Sequence, residues 1–151
     1  MKQLSRLFLV CSIGLFVTSL TQPAFSAGNW VETPGWFAVL FGIFALSGAG
    51  LSWLANPLLI LSWLTFAEKK VSFLFSLLAV IAGSSFLLFT QIIVNEAGGY
   101  GPITDRHLGY WLWLSSTIVM LAGNGIGLID LYSHKTREGK EKNTCPNSKV
   151  H

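Results

Sequence analysis

The feature that most constrains this chain is the uncharged stretch from Gly35 to Ala67, which contains 33 residues. A helix needs only about 20 apolar residues to cross a bilayer, so this stretch is long for one span and short for two. A backbone surrounded by lipid must satisfy its own hydrogen bonds, which restricts spans to helices or closed barrels. The apolar residues run continuously instead of alternating, and this pattern predicts helices.

Two further apolar blocks, Val71–Val94 and Leu108–Ile129, follow the first. Mean hydropathy is +0.57 and only 11% of the residues are charged, which is far from the usage of soluble proteins. These blocks predict an all-α membrane protein with three transmembrane helices.

The amino-terminal residues have the pattern of a secretory signal. Lys2 and Arg6 precede the apolar stretch Leu7–Leu20, and Ala24-Phe25-Ser26 follows Pro23. We expect cleavage after Ser26, which divides the chain into a signal peptide (1–26), a helical membrane domain (27–132) and a disordered basic tail (133–151). The alternative is an uncleaved anchor, which would give four hydrophobic segments. Cleavage would leave Cys145 as the single cysteine, so no intramolecular disulfide is expected.

Charge predicts the orientation, because lysine and arginine accumulate on the cytoplasmic side of membrane proteins. The tail after Tyr132 holds five lysines and arginines against two glutamates, and Lys69-Lys70 separates the first two apolar blocks. We therefore expect the carboxyl terminus to be cytoplasmic and the loop 95–107 to be outside, which in a bacterial inner membrane is the periplasm. The first block must then cross an odd number of times.

Asn56-Pro57 marks a break within that block, since asparagine caps helices and proline suits the first helical turn. The interpretation is a span from Gly35 to Trp53 followed by a short embedded helix from Pro57 to Ala67. The alternative is one long helix kinked at Pro57.

Small and polar residues in the third block predict close helix packing. Gly123 and Gly127 form a small-xxx-small face, and Asn124 between them needs a hydrogen-bond partner. The structural interpretation is contact between helices, within the chain or in a homo-oligomer. In the alternative interpretation Asn124 lines a pore together with Asn56 and Gln91.

Glu96, Asp105 and His107 are the titratable groups gathered outside the predicted membrane. Carboxylates with an imidazole can bind a metal or move protons. Helix capping and interfacial anchoring explain the same residues, with Arg106 and His107 reaching the lipid headgroups. No metal site and no cofactor are predicted. The basic tail predicts contact with anionic lipid, and nothing indicates binding of nucleic acid.

Aromatic residues gather at the ends of the predicted spans. The outer ends have Trp36, Tyr110, Trp111 and Trp113, and the inner ends have Trp53 and Tyr132. This is typical of an aromatic belt at the membrane surface, and the alternative is a stacking platform for a ligand.

The segments Trp53-Leu54-Ala55-Asn56-Pro57-Leu58-Leu59 and Gly109-Tyr110-Trp111-Leu112-Trp113-Leu114, with Asn95-Glu96 ahead of the latter, are similar to segments of small uncharacterised bacterial inner-membrane proteins. The resemblance implies a bacterial origin and a helical membrane fold, and it implies no activity.

The sequence thus favours a small inner-membrane protein without catalysis of its own, which associates with itself or with a larger membrane complex. The alternatives are an oligomeric transporter or channel subunit and, third, an enzyme on the periplasmic face of the membrane.

Overall fold

Five helices form most of the fold in the computed structural model, which describes residues 2–28, 32–93 and 98–144. Short 3₁₀ turns at Gly42–Ala45, Gly48–Leu54 and Phe86–Leu88 join or extend these helices. The helices are α1 (Lys2–Leu20), α2 (Gly35–Phe41), α3 (Ala55–Leu64), α4 (Lys69–Ser85) and α5 (Leu108–Thr144).

The segments of α1, α4 and α5 at Gln3–Leu20, Lys69–Leu88 and Leu108–Ser133 are each long and apolar enough to cross a membrane. The stretch between α1 and α4 is instead a bent pair, Gly35–Phe44 and Gly48–Leu64, with an angle of 109° between its two parts. The helical expectation is therefore confirmed, with a fourth apolar segment at the amino terminus.

A small antiparallel sheet, which the all-α prediction did not include, covers one end of the helices. Its strand order is β2-β1-β4-β3, and its strands are β1 (Pro23–Ala27), β2 (Thr33–Pro34), β3 (Gln91–Ile93) and β4 (Tyr100–Arg106). The strands come from two connections, the one between α1 and α2 and the one between α4 and α5. Both connections lie at this end, so their backbone groups pair across long sequence separations. The sheet also contains the predicted cleavage point, since Ser26 is paired with Asp105.

The helical segments run up, down, up and down around a shared core. Phe16, Leu59, Ala79 and Met120, one residue each from α1, α3, α4 and α5, form a buried cluster. The helix predicted to be a removable signal therefore supplies one of the four residues of this cluster.

Serine side chains form the contact between α1 and α5. Ser5, Ser12 and Ser19 recur every seven residues on α1 and are all buried. The Ser5 hydroxyl donates to the Gly123 carbonyl at 3.2 Å, and the Ser12 hydroxyl donates to the Ser116 carbonyl at 2.8 Å. Both partners lie on α5, so the two helices pack antiparallel along one continuous face.

The glycines predicted for helix packing lie in this contact. A methyl group added at Gly123 would collide with the Cβ atom of Phe8 on α1. At Gly127 it would lie 3.2 Å from Lys69 Cδ and 3.5 Å from the Ser5 hydroxyl oxygen. The partners of both glycines are thus α1 and the start of α4, within one chain.

The bend in the first apolar block lies earlier than Asn56-Pro57. No single helix connects Gly35 to Trp53, because α2 ends at Phe41 and Gly48 adopts a left-handed backbone conformation with φ of +55°. A helix does begin near the predicted point, at Ala55, but the preceding 3₁₀ turn leads directly into it. Pro57 falls in the first turn of α3, where its missing N–H leaves no helical hydrogen bond unmade.

The carboxyl-terminal part of α5 also differs from the prediction. Disorder was expected from Ser133 onward, but the helix continues to Thr144. Lysine, arginine and glutamate favour helices even without apolar periodicity, and an existing helix propagates more easily than a new one forms. Residues 145–151, including Cys145, lie outside the described part of the chain.

Candidate functional site

A cavity of about 470 Å³ lies between the sheet and the helices. Its walls come from β1, β2 and β3, the bent stretch that begins with α2, and the first turns of α5. It is mainly apolar, with aromatic rings contributed by Phe25, Phe37, Phe41, Trp53, Phe86, Tyr110 and Trp113.

The bend after α2 shapes one wall of this cavity. The indole of Trp53 lies so close to Gly42 that a Cβ atom there would collide with the ring. The indole N–H of Trp53 also donates to the Val39 carbonyl at 2.6 Å. Trp53 thus holds the two arms of the bend together, and Gly42 provides the space that its ring requires.

The start of α5 forms the opposite wall through two fixed aromatic side chains. The Tyr110 hydroxyl donates to the Gly83 carbonyl of α4 at 3.3 Å, and Tyr110 is only 4% exposed. The Trp113 ring lies 5.9 Å from the Tyr110 ring, centroid to centroid. Tyr110 is therefore an interior group, for which the aromatic-belt interpretation is wrong, and Trp113 is half-buried beside it.

Asn56 is a buried amide in the cavity lining, with 4% of its surface exposed, and the buried Ser19 and Ser52 line the cavity as well. The Oδ1 atom of Asn56 accepts a hydrogen bond from the Trp113 indole N–H at 2.8 Å. This bond fixes the orientation of the amide, so its Nδ2 group lies on the other side. Within residues 2–28, 32–93 and 98–144, that Nδ2 group donates to no partner. This hydrogen bond joins segments 53–59 and 109–114, the two that resemble segments of small bacterial inner-membrane proteins.

Asn124 lies in a separate environment further along α5. Its Nδ2 group contacts the Ser62 hydroxyl, the Ser72 carbonyl and the Ser76 hydroxyl, each at 3.1 Å. Its Oδ1 atom is buried and accepts no hydrogen bond from the described residues. Since Asn124 follows Trp113 by about three helical turns, or roughly 16 Å, Asn56 and Asn124 do not share one site.

Gln91, the third residue proposed for a pore, is exposed on β3 and is not part of the cavity lining. The three polar side chains of the pore interpretation therefore occupy three different environments. Each of these environments involves a different set of elements.

The predicted outer-face cluster is described only in part. Glu96 lies outside the described residues. Asp105 is exposed on β4, and the His107 Nε2 atom is 2.7 Å from the Ser26 hydroxyl oxygen. Among the described residues, no group of three or more histidine, cysteine, aspartate or glutamate side chains is arranged to hold a metal ion.

Arg106 does not have the environment that was predicted for it. Its Nη2 group donates to the carbonyls of Phe89 at 2.9 Å and Phe86 at 3.3 Å, and its guanidinium lies over the Phe86 ring. Arg106 thus donates to carbonyl groups in and just after the 3₁₀ turn that follows α4, and it does not extend to a lipid headgroup.

Sequence reasoning missed the serine residues on α1 and the Gly42–Trp53 contact. The seven-residue spacing of Ser5, Ser12 and Ser19 is visible in the sequence, and it indicates a helix with one packed polar face. The contact of Gly42 with Trp53 has no such periodic signal.

Comparison with protein-family models, with curated proteins and with solved structures gives no match. A function for this chain is therefore inferred from its own geometry.

Proposed function

We propose that this chain is a non-catalytic multi-pass protein of the bacterial inner membrane, which associates with itself or serves as an accessory subunit of a larger membrane complex. The observation that supports it best is the distribution of polar side chains, which is the reverse of that in a water-soluble protein. Side chains that face outward from the helices include Val10, Leu74, Ile81 and Ile118, while serines and Asn124 face inward. Lipid is the solvent that suits such a surface, because polar groups within it must find partners inside the protein.

The distribution of charge supports one orientation. Arg6 near the start of α1, Lys69 and Lys70 at the start of α4, and the basic end of α5 all lie at the end of the bundle opposite the sheet. By the positive-inside tendency, that end is cytoplasmic and the sheet is periplasmic. At 1.5 Å per residue, α5 is roughly 55 Å long, so its basic end extends into the cytoplasm.

We propose further that α1 is retained as the first of four membrane segments instead of being cleaved after Ser26. Support comes from its buried serines, from Phe16 in the shared core and from the pairing of β1 with β4. Cleavage would remove the α1 serines from their acceptors on α5. It would also remove most of β1 from its pairing with β4.

Exposed aromatic rings along α2 support association with another membrane segment. Phe37 and Phe41 stack with centroids 4.6 Å apart, and Phe44 extends the row with 84% of its surface exposed. Aromatic rings are frequent in interfaces because they bury a large area at a small entropic cost. The described geometry adds no support for the transporter alternative, because Asn56, Gln91 and Asn124 are not brought to a common site. The enzyme alternative stays a prediction, since Glu96 lies outside the described residues.

Intact mass measurement and topology reporters test the membrane arrangement. Purified protein with its leader retained has a mass of 16.5 kDa before any tag is added. A reporter at Gly99 should be active in the periplasm, and one after Thr144 should be active in the cytoplasm. A shorter mass that lacks residues 1–26, or a periplasmic carboxyl terminus, would contradict this arrangement.

Blue-native electrophoresis of detergent-extracted membranes tests association. We expect the wild-type chain to migrate as a homo-oligomer or with a co-purifying membrane protein. A variant with Phe41→Ala and Phe44→Ala should lose that complex, while Leu74→Ala with Leu78→Ala on α4 should keep it. A strictly monomeric wild-type species would refute the association.

A further inference from the structure

The cavity around Asn56 shares the rings of Phe37 and Phe41 with the surface proposed above for association, but that association leaves its interior without a role. We propose that the cavity binds a neutral, lipid-soluble carbonyl compound, whose carbonyl oxygen accepts a hydrogen bond from the Asn56 Nδ2 group. This assignment rests on the proposed membrane location only for the source of the ligand, since binding itself is measured on detergent-purified protein.

The cavity has the size and shape of a ligand site. Its volume of about 470 Å³ falls within the roughly 300–1,000 Å³ of small-molecule pockets. The space exists because small residues line it from several elements, among them Ala24, Ala38, Ala49 and Gly50. Larger side chains at these positions would fill it.

The cavity wall has already used much of its hydrogen-bonding capacity within the protein. The Trp53 indole donates to Val39, and the Tyr110 hydroxyl donates to Gly83. The Ser52 hydroxyl donates to the Ala49 carbonyl at 2.8 Å. The Trp113 indole fixes Asn56 through Oδ1 and leaves the Nδ2 group for a ligand acceptor. A ligand carbonyl that accepts from this group gains affinity, because a hydrogen bond inside an apolar cavity is stronger than one in water.

The charge of the lining favours a neutral ligand. No lysine or arginine belongs to the part of the cavity wall that the structure describes, and the exposed Glu32 lies within that wall. A free carboxylate or phosphate would therefore lack a cationic partner and would lie near a like charge. A carbonyl group in an ester or in a quinone ring has the required acceptor and carries no charge.

Acyl esters and quinones are both abundant in membranes, and two probes distinguish them. The first is a short-chain alkyl benzoquinone, which quenches tryptophan fluorescence when it binds near Trp53 and Trp113. The second is the methyl ester of a fluorescent polyene fatty acid, which accepts energy transfer from the same indoles. Saturable binding of the first indicates a quinone ring, and saturable binding of the second indicates an acyl ester.

Variants with matched controls test the site. Asn56→Leu should weaken binding about ten-fold, as expected when one buried hydrogen bond is lost. Ala38→Phe should abolish saturable binding, because the added ring occupies the cavity. Gln91→Leu removes an amide and Ala122→Phe adds a ring at exposed positions outside the cavity lining, and both variants should bind as the wild type does. Circular dichroism and gel filtration confirm that each variant is folded, and Ala38→Phe still tests the site if Asn56→Leu does not fold.

Two results would overturn the assignment. One is that neither probe binds saturably to the wild-type protein. The other is that Ala38→Phe binds as tightly as Ala122→Phe. A failed binding assay with correct topology reporters would reject the ligand site alone and leave the membrane proposal standing.

Discussion

At the scale of single residues, Asn124 distinguishes a packing role from a role in a pore. Its amide joins α5 to Ser62 on α3 and to Ser72 and Ser76 on α4. We expect Asn124→Leu to lower the free energy of unfolding by about 1–3 kcal/mol, because three acceptors lose a shared donor inside the bundle. Thermal unfolding in detergent measures this, with Gln91→Leu as an exposed amide control. An unchanged midpoint for Asn124→Leu would contradict the packing role.

Arg106 allows a second prediction at this scale. Arg106→Ala removes the donor to the Phe86 and Phe89 carbonyls and the contact with the Phe86 ring, so we expect a loss of about 1–3 kcal/mol in unfolding free energy. Arg106→Lys should recover part of that loss, since one ammonium group can still reach a carbonyl. Asp105→Ala, at the exposed neighbouring position, is the control. Were Arg106 a headgroup anchor, Arg106→Ala would alter membrane association and leave the stability of purified protein unchanged.

At the scale of elements, the contact between α1 and α5 is tested by two glycines on the same helix. Gly123→Ala should destabilise the protein, because the new methyl group collides with Phe8 Cβ and the helices must separate. Gly125→Ala should be neutral or stabilising by up to about 1 kcal/mol, because its nearest neighbour would be Phe73 Cε2 at 3.9 Å and alanine favours helix. The difference between their unfolding midpoints reports on α1 directly. Equal midpoints would mean that α1 is not packed on α5 in the purified protein.

The elements also show where sequence reasoning succeeds and where it stops. Long apolar runs and their charged boundaries predict α4 and the first part of α5, because span length and charge are local properties. The bend after α2 was placed at Asn56-Pro57, since these residues carry the strong local signals. The actual bend depends on Gly42 accepting the Trp53 ring, a contact between two arms that are both uniformly apolar. Hydrophobicity alone does not identify such a contact.

At the scale of the whole molecule, the candidate site was only partly predictable. Asn56 was selected as a polar residue in an apolar run, and a stacking platform was one interpretation of Trp113 and its aromatic neighbours. Their meeting across the fold, through the hydrogen bond between Trp113 and Asn56, depends on tertiary packing of α3 against α5. The cavity also requires β1, which the sequence assigned to a cleaved leader. Local patterns therefore identified two of its parts but not their assembly.

The contacts of α1 with the core predict the result of removing this helix. Replacing residues 1–22 by a cleavable secretion signal would produce a three-segment protein that lacks Phe16 and Ser12. Leu59, Ala79 and Met120 would then lose a core neighbour, and the Trp63 indole would lose the Ser12 hydroxyl that accepts its N–H at 3.1 Å. We expect the shortened protein to accumulate several-fold less in membranes, measured by immunoblot against a carboxyl-terminal tag.

Co-expression of residues 1–28 as a separate membrane segment should restore accumulation of that shortened protein. The serines on α1 and Phe8 can rejoin α5 without a covalent connection, because the contact between the two helices uses side-chain hydrogen bonds and close packing. Residues 1–28 carrying Ser5→Leu and Ser12→Leu should fail to restore it. If the shortened protein alone accumulated to the level of the intact chain, α1 would be a leader and not a structural helix.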